Sequence, residues 1–330
     1  MASTLPTRAD LLGTARVVSL PLATRFRGLD SREALLVEGP SGWSEFSPFV
    51  EYDDAEAASW LAATIDFGWA TTPTLHRSSV AVNATLPAVG VSEVEAVLAR
   101  FGQCRTVKIK VAERGQVLAD DVARVAETRR LLGPAGRIRV DANGGWNVDE
   151  AEHAIHALAG FDLEYVEQPC ASIDELAQIR ERVHFMDVPI AADESVRKAS
   201  DPLAVARAGA ADLLVIKAQP LGGIRAALRI ADEAGLPAVV SSALDTSVGL
   251  SMGLYLAAAI ETLEFDCGLG TAALLAGDVT ADPLTPVDGR LEVRRVVPDV
   301  ALLERYAAPA ERTAWWLARL ERCLELLARR

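Results

Sequence analysis

From about residue 79 onward, the chain alternates short β-rich runs with amphipathic helical stretches. A helical stretch such as 117–132 carries apolar residues at helical spacing on one face and charges on the other. This alternation is typical of parallel βαβ units, because parallel strands need a long crossover connection that a helix usually supplies. The eight runs lie at 80–86, 106–112, 137–143, 163–169, 188–195, 212–218, 237–243 and 264–270. Eight parallel strands with seven helical segments between them predict a (β/α)8-type barrel whose last helix is short or missing.

Two regions outside this alternation, residues 1–78 and 286–330, predict a second and smaller domain. The first region contains two strand-like patterns, RVVSLPL and EALLVEG, followed by a helical segment at 54–67. The second region ends in a charged amphipathic helix that starts near Pro309. We therefore expect an α/β protein in which a barrel at 79–285 carries an α+β capping domain assembled from both ends of the chain.

Residues with catalytic chemistry occur at the ends of six consecutive predicted barrel strands. They are Lys110, Asp141, Glu167, Asp193, Lys217 and Ser241, separated by 31, 26, 26, 24 and 24 residues. Each interval is close to one βα unit, so all six side chains are expected at the same end of the barrel. Barrel enzymes build their active sites at the carboxyl ends of the strands. The spacing therefore predicts an active site to which each of six neighbouring strands contributes one residue.

Three of these residues, Asp141, Glu167 and Asp193, are carboxylates on adjacent strands. Burying three like charges together is very unfavourable unless a cation is bound between them. The surrounding motifs offer hard oxygen ligands and no His or Cys, which favours Mg²⁺ or, alternatively, Mn²⁺. The sequence therefore predicts a site for a divalent cation at the barrel mouth.

Lysine is rare in this chain, so its positions are informative. Only four of the 33 basic residues are lysines, and three of them, Lys108, Lys110 and Lys217, lie in predicted barrel strands. Arginine stays protonated at any working pH, whereas a lysine in a dry pocket can become a base. Lys108 and Lys110 share one strand face, and Lys217 approaches from the opposite side of the barrel. We interpret the lysines as acid–base groups; the alternative is that they only pair with the three carboxylates.

The composition limits the classes of partner. A formal net charge of −13 argues against nucleic acid or an anionic membrane surface as a partner. The longest apolar segment, around 249–260, is interrupted and too short to span a bilayer. The four cysteines lie far apart without C-x-x-C spacing, which is typical of reduced thiols in the cytosol. The sequence leaves the oligomeric state open, and we expect a cytoplasmic protein that acts on a small-molecule carboxylate without nucleic-acid or membrane partners.

Five short motifs along the barrel resemble the enolase superfamily, in its muconate-lactonizing subgroup. They are K-I-K at 108–110, D-A-N at 141–143, E-Q-P at 167–169, A-D-E-S at 192–195 and I-K-A-Q-P-L-G-G at 216–223. The resemblance covers about 79–285 and implies a modified (β/α)7β TIM-like barrel with a small α+β capping domain. It also implies removal of a proton next to a carboxylate, with a cation offsetting the charge that develops on the oxygens.

The same resemblance implies residue roles. Asp141, Glu167 and Asp193 would hold the cation, and Lys110 would take the proton and later return it. Lys108 would keep that amine available, and Lys217 would place its charge over the opposite face of the substrate. Further expected contributors are Asn143, Ser241, Ser242 and Arg27 as substrate contacts, with Glu194 and Gln168 orienting the residues around the cation.

The reaction itself is harder to choose, because this subgroup uses the same lysines for syn dehydration, racemisation, epimerisation and cycloisomerisation. The short chain, the K-A-Q-P-L-G-G segment and two capping-loop segments, R-F-R-G-L at 25–29 and G-W-S-E-F-S-P at 42–48, favour a syn dehydratase. That enzyme is a carbon–oxygen hydro-lyase of menaquinone biosynthesis, and its substrate is a cyclohexadiene carboxylate with a succinyl side chain. The eighth run lacks the D-x-D that would hold a substrate ammonium in a dipeptide epimerase. An N-acylamino-acid racemase, or another racemase or epimerase of the superfamily, is the alternative.

Overall fold

The structure, a computed structural model, describes residues 5–198 and 201–329. Residues 1–4 and 330 of the predicted capping domain, and 199–200 of the predicted barrel, lie outside the described residues. The strands are β1 (Arg16–Phe26), β2 (Leu29–Gly39), β3 (Gly42–Phe46), β4 (Ser79–Ala81), β5 (Ala84–Leu86), β6 (Thr106–Lys110), β7 (Arg137–Asp141), β8 (Leu163–Glu167), β9 (Ile190–Ala192), β10 (Leu213–Ile216), β11 (Ala238–Val240) and β12 (Arg290–Glu292). The helices are α1 (Arg8–Thr14), α2 (Asp54–Trp69), α3 (Val94–Leu98), α4 (Leu118–Leu132), α5 (Val148–Leu158), α6 (Ile173–Val183), α7 (Glu194–Arg197), α8 (Ala204–Arg207), α9 (Ile224–Ala234), α10 (Ser247–Ala259), α11 (Val300–Arg305) and α12 (Ala310–Leu327).

Seven parallel strands form one curved sheet in the order β11-β10-β9-β8-β7-β6-β5. Cys267 and Gly268 form parallel bridges to Val82 and Ser241, so this short eighth segment joins the two sides of the sheet and closes it. Helices occupy the seven connections between successive strands, and the eighth segment leads directly into a short 3-10 turn at 270–274 in place of a barrel helix. The expected (β/α)7β TIM-like barrel is therefore confirmed.

The local sequence explains why these elements form. Strand β10 is buried at all four positions, as expected for a parallel strand that is covered on both faces. Helices α5 and α6 begin at capping boxes, in which Asn147 pairs with Glu150 and Ser172 pairs with Glu175. The first predicted run, 80–86, is divided in the structure, because β4 pairs antiparallel with β12 while β5 pairs parallel with β6.

The capping elements form a separate layer with its own core. Strands β1, β2 and β3 make an antiparallel sheet, and helices α2 and α12 pack together beside it. Leu35, Phe46, Trp60 and Trp316 are at most 1% exposed within this second core. Burying aromatic side chains of this size supplies much of the apolar surface that a small layer needs.

The carboxyl-terminal tail is tied to the amino-terminal region by buried polar contacts. The Arg319 guanidinium on α12 donates hydrogen bonds to the carbonyl oxygens of Phe49 (3.2 Å) and Tyr52 (2.5 Å). Arg312 pairs with Glu33 on β2 at 2.5 Å. Both ends of the chain therefore contribute to one capping layer, whereas the boundaries 1–78 with 286–330 and 79–285 stay a prediction.

The apolar segment around 249–260 coincides largely with α10, which packs inside the protein. None of the helices within the described residues is both long enough and apolar enough to cross a membrane.

Candidate active site

Strand register brings three of the predicted residues side by side. Lys110 on β6 is the neighbour of Asp141 on β7, and Asp141 is the neighbour of Glu167 on β8. Asp193 directly follows β9, and Lys217 directly follows β10. Because parallel strands all run toward the same barrel end, the near-regular spacing of these residues translates into a single cluster.

The lysines and carboxylates of this cluster are paired directly. Lys110 Nζ lies 2.5 Å from Asp141 Oδ2, and Lys108 Nζ lies 2.8 Å from Glu167 Oε1 and 3.2 Å from Asp141 Oδ2. Lys217 Nζ lies 2.5 Å from Asp193 Oδ2. The three carboxylate side chains are at most 1% exposed, so these are ion pairs removed from solvent.

This environment shifts the pKa of the acidic groups in different directions. Burial would raise the pKa of Asp141, but Lys110 and Lys108 hold it well below its usual range. Burial likewise opposes Lys217 and Arg197 at Asp193, whose pKa is also well below its usual range. Burial and then the neighbouring Asp141 raise the pKa of Glu167 to about 7. The neighbouring cations therefore keep Asp141 and Asp193 ionised, whereas Glu167, beside Asp141, is the carboxylate that gains a proton most easily.

The pKa values of Lys217 and Lys108 are shifted in opposite directions. Burial lowers the pKa of Lys217 below its ordinary value, although Asp193 opposes this effect. Burial acts on Lys108 in the same direction, but Glu167 and Asp141 outweigh it and raise its pKa well above the ordinary value. The sequence predicts that repulsion from the neighbouring ammonium and a nearby cation lower the pKa of Lys108. At Lys108 the direct carboxylate contacts dominate instead.

The carboxylate oxygens of this cluster are the candidate ligands of a cation. Across residues 5–198 and 201–329, no group of three or more His, Cys, Asp or Glu side chains is arranged to hold a metal ion. The reason is visible in the ion pairs, because Lys108 Nζ bridges Asp141 and Glu167 while Lys217 engages Asp193. Glu194, next to Asp193, has a buried Oε2 atom without a hydrogen-bond partner. The chemistry of these oxygens fits a hard divalent cation.

One cavity collects most of the residues that the sequence singles out. It lies between the barrel mouth and the capping elements, and the residues that line it are Phe26, Arg27, Phe49, Trp60, Thr85, Lys108, Lys110, Asn143, Arg197, Lys217, Pro220, Ser241, Ser242, Ala243, Leu244, Gly268 and Thr271. All three barrel lysines and all four expected substrate contacts are therefore on its wall. The carboxylates of Asp141, Glu167 and Asp193 lie behind the lysines rather than on the wall.

The two predicted orienting residues contact the cluster in different ways. The Gln168 side-chain oxygen accepts hydrogen bonds from the backbone N–H groups of Asp193 (3.0 Å) and Ser195 (3.2 Å). Glu194 Oε1 accepts a hydrogen bond from Asn143 Nδ2 at 3.2 Å. Asn143 Oδ1 in turn accepts from Lys110 Nζ at 2.7 Å. A polar chain therefore links Lys110 to the segment that follows β9.

Arg27 lies at the tip of the hairpin between β1 and β2. Its guanidinium carbon is 4.3 Å from the centre of the Phe49 ring, a cation–π contact, and its side chain is 32% exposed. Its nearest carboxylate is Glu51, at 4.0 Å, too distant for a strong pair. This leaves a cation on the cavity wall that is free to contact an anionic ligand.

Sequence reasoning missed Arg197, Phe49 and Trp60. Arg197 donates to Asp193 Oδ1 (3.0 Å) and Glu194 Oε1 (2.6 Å), and its spacing from them, four and three residues, was the available signal. Phe49 and Trp60 reach the cavity only through packing of the capping layer, and no local motif marks them. The Trp60 indole N–H is buried without a hydrogen-bond partner.

Comparison with known proteins shows where the chain belongs. Residues 91–298 match the family described as Enolase C-terminal domain-like, and residues 17–68 match the one described as Enolase N-terminal domain-like. The o-succinylbenzoate synthase of Mycobacterium marinum is 52% identical over 329 residues, covering 99% of this chain and 98% of that protein. The o-succinylbenzoate synthase of Mycobacterium tuberculosis is 53% identical over 328 residues, with the same coverage.

Among solved structures, muconate lactonizing enzyme from Pseudomonas fluorescens, in complex with muconolactone, superimposes with a TM-score of 0.76 at 20% identity. The match covers 89% of this chain and 98% of that one, and at this identity it reports on the fold alone. The mycobacterial enzymes are more closely related to this chain, because they are 52–53% identical over 99% of its length. The chain belongs to the enolase superfamily and, within it, to the o-succinylbenzoate synthase family of lyases.

Proposed function

We propose that the protein converts 2-succinyl-6-hydroxy-2,4-cyclohexadiene-1-carboxylate to 2-succinylbenzoate and water, as a step of menaquinone biosynthesis. The observation that carries the proposal is that Lys110 and Lys217 line one cavity, in a chain that is 52–53% identical over its length to o-succinylbenzoate synthases. The reaction is a syn elimination, because the proton and the hydroxyl group leave from the same ring face. It needs a base that can become an acid on that face.

Asp141, Glu167 and Asp193 are the residues that would hold Mg²⁺, or alternatively Mn²⁺. Bound there, the cation would offset the negative charge that develops on the substrate carboxylate when the neighbouring proton is removed. The buried Glu194 Oε2 atom, which has no hydrogen-bond partner, adds a further negative oxygen beside this site. Lys110 Nζ, which lies 2.5 Å from Asp141 Oδ2, would be available for proton transfer once that carboxylate is engaged elsewhere.

Lys110 is the proposed acid–base residue. As a neutral amine it takes the proton from ring carbon 1, and the resulting ammonium gives that proton to the hydroxyl on carbon 6, which leaves as water. The C–H electron pair becomes part of the aromatic ring, so atoms and charge balance. Asn143 accepts a hydrogen bond from Lys110 Nζ at 2.7 Å and would orient the amine between these two positions.

The other two lysines have supporting roles. Lys108 Nζ lies 3.2 Å from Asp141 Oδ2, the same oxygen that Lys110 Nζ contacts at 2.5 Å. It would therefore disfavour a second ammonium at Lys110. Lys217, across the cavity, would place its cation on the opposite ring face, where a cation–π contact strengthens as the ring becomes aromatic.

The remaining contacts are assigned to the non-reacting part of the substrate. Ser241 and Ser242 on the wall would donate hydrogen bonds, and Arg27 would pair with the succinyl carboxylate. Gln168 and Glu194 would hold the segment that carries Asp193. We also propose that the chain divides into a barrel at 79–285 and a capping domain from 1–78 with 286–330. The cysteine spacing further indicates a cytoplasmic location.

The proposal is tested with the purified protein, Mg²⁺ and the cyclohexadiene substrate, by following formation of the aromatic product by ultraviolet absorbance. We expect rapid, EDTA-sensitive dehydration. N-succinylamino acids are offered in parallel in deuterium oxide. Fast exchange at their α-carbon from both faces, with little dehydration, would replace the lyase by the racemase.

Arg27→Ala is expected to raise KM for the succinyl-bearing substrate roughly tenfold, with a smaller effect on kcat. The reason is that a remote carboxylate is bound equally in the ground state and the transition state. Arg25→Ala is the matched control, because Arg25 lies two residues away on the same hairpin, is 69% exposed and is not on the cavity wall. An unchanged KM in the Arg27 variant would place the succinyl carboxylate elsewhere.

A further inference from the structure

The loop at 241–246, between β11 and α10, forms one side of the cavity. Ser241, Ser242, Ala243 and Leu244 from this loop are on the cavity wall. Leu244 has a φ of 62°, a left-handed conformation that an L-residue adopts only when its surroundings hold it there. The loop therefore needs support from outside itself, and the capping sheet provides the contacts.

Arg32 on β2 contacts the carbonyl side of this loop. It is 2% exposed, and its guanidinium donates hydrogen bonds to the carbonyl oxygens of Leu244 (3.1 Å) and Ala243 (3.4 Å). The same group reaches Ser47 Oγ at 3.2 Å, which anchors it within the capping layer. The planar fork of arginine suits this arrangement, because it can donate to several acceptors at once.

Glu45 on β3 contacts the amide side of the same loop. Its Oε2 atom accepts hydrogen bonds from the backbone N–H groups of Thr246 (3.2 Å) and Gly249 (3.1 Å) and from the Thr246 hydroxyl (2.5 Å). Its Oε1 atom accepts from the Ser47 hydroxyl at 2.6 Å. A carboxylate at the amino terminus of a 13-residue helix also faces the positive end of the helix dipole.

Glu45 is in close contact with α10 at Gly249. A Cβ atom at Gly249 would lie 2.7 Å from the Glu45 carboxyl group and 2.8 Å from Asp245 Cβ, so the helix approaches the capping strand as closely as glycine allows. Together the two capping residues contact both the carbonyl and the amide groups at the carboxyl-terminal part of the loop.

We propose that Arg32 and Glu45 are positioning residues that hold the 241–246 loop in the shape the substrate requires. They touch no reacting atom; they act through the loop. The capping domain thereby does more than cover the barrel, because it also helps to hold one wall of the cavity. The inference rests on the proposed function in one of its two tests, which uses the cyclohexadiene substrate.

The first test is amide hydrogen exchange on the full-length protein without substrate. Glu45→Ala is expected to speed amide exchange at 243–249 by about tenfold or more, because the Thr246 and Gly249 amides lose their acceptor and the loop loses an anchor. Arg77→Ala is the matched control. The Arg77 guanidinium donates to the carbonyl oxygens of Ala257 (2.5 Å), Ile260 (2.5 Å) and Glu261 (2.7 Å), so it holds the opposite end of α10. In Arg77→Ala, faster amide exchange is expected only near 257–261.

The second test is steady-state kinetics with the cyclohexadiene substrate. Glu45→Ala is expected to raise KM roughly tenfold with a smaller effect on kcat. Glu45→Gln keeps an acceptor oxygen of the same shape and is expected to restore KM to within about twofold of the unmodified protein. Arg77→Ala is expected to leave KM unchanged. If Glu45 had only a structural role, Glu45→Ala and Glu45→Gln would both be less stable. The larger effect on KM than on kcat, and its rescue by Gln, would then be absent.

Unchanged exchange at 243–249 in Glu45→Ala would overturn the inference, as would an unchanged KM despite faster exchange, or an equal KM increase in Arg77→Ala. If Glu45→Ala does not fold, Arg32→Lys takes its place with the same two readouts, since lysine keeps the charge but not the fork. If the unmodified protein does not dehydrate the substrate, the proposed function fails, and the exchange data alone decide whether the two residues hold the loop.

Discussion

Lys110→Arg is expected to abolish dehydration, with a loss in kcat on the order of 10⁴ or more, because an acid–base group without a substitute is removed. Arginine keeps a cation beside Asp141, which Lys110 Nζ contacts at 2.5 Å, so the charge balance of the buried cluster is preserved. What is lost is the ability to exist as a neutral base at working pH. The effect therefore isolates proton transfer from electrostatics.

Lys217→Arg is the informative comparison. A syn elimination needs proton transfer on one ring face only, so this variant keeps its cation opposite Lys110 and is expected to retain measurable dehydration. Racemisation needs a base and an acid on opposite faces, so either substitution would stop it. Lys198→Arg is the control, because Lys198 is exposed, lies 4.6 Å from the Tyr52 ring centre and is not on the cavity wall.

The measurements are single-turnover dehydration and α-carbon deuterium exchange of an N-succinylamino acid for all four proteins. Dehydration by Lys110→Arg at a rate close to that of the unmodified protein would show that another group is the base. Equal and complete loss in both Lys110→Arg and Lys217→Arg, together with efficient exchange by the unmodified protein, would favour the racemase.

Asp193→Asn is expected to lower Mg²⁺ affinity by at least about 100-fold and to reduce turnover to a similar degree. Even residues that only orient metal ligands cost 10- to 100-fold in affinity, so a direct ligand is expected to cost at least as much. Asparagine has nearly the same shape as aspartate, and Arg197 keeps its ion pair with Glu194 at 2.6 Å, so the fold is expected to survive.

The readout that does not depend on activity is calorimetric titration with Mg²⁺, supported by the increase in Tm that a bound cation produces. Asp212→Asn is the matched control at the opposite end of the barrel. Asp212 accepts a hydrogen bond from the backbone N–H of Ile190 at 2.8 Å and pairs with Arg180 at 2.7 Å, so it is also a strand-associated carboxylate. Normal Mg²⁺ affinity and turnover in Asp193→Asn, after EDTA treatment and repletion, would remove Asp193 from the metal site.

The barrel and its catalytic end were predictable from the sequence because both depend on a local repeat. Each βα unit returns the chain to the same end of the barrel, so Lys110, Asp141 and Glu167 became cross-strand neighbours through register alone. The tail helix was predictable for the same reason, since its amphipathic pattern is contained within one segment. These are features in which near neighbours in the chain decide the outcome.

The individual ion pairs between the lysines and the carboxylates could not be predicted in the same way. The sequence places lysines and carboxylates together, but whether a lysine amine lies 2.5 Å or 5 Å from a carboxylate depends on side-chain packing across several strands. Contacts of this kind decide the direction of the pKa shift at Lys108, whose pKa Glu167 and Asp141 raise although burial acts the other way.

The sequence by itself thus determined the barrel and the common position of its strand lysines and three carboxylates, because a regular repeat converts linear spacing into position. Only the tertiary structure decided which capping residues complete the cavity. Phe49 and Trp60 reach its wall, and Glu45 reaches the Thr246 amide, across 201 positions of the chain. Such contacts arise from how two layers of the structure pack together, and no periodic pattern in a single segment encodes the packing of one layer on another.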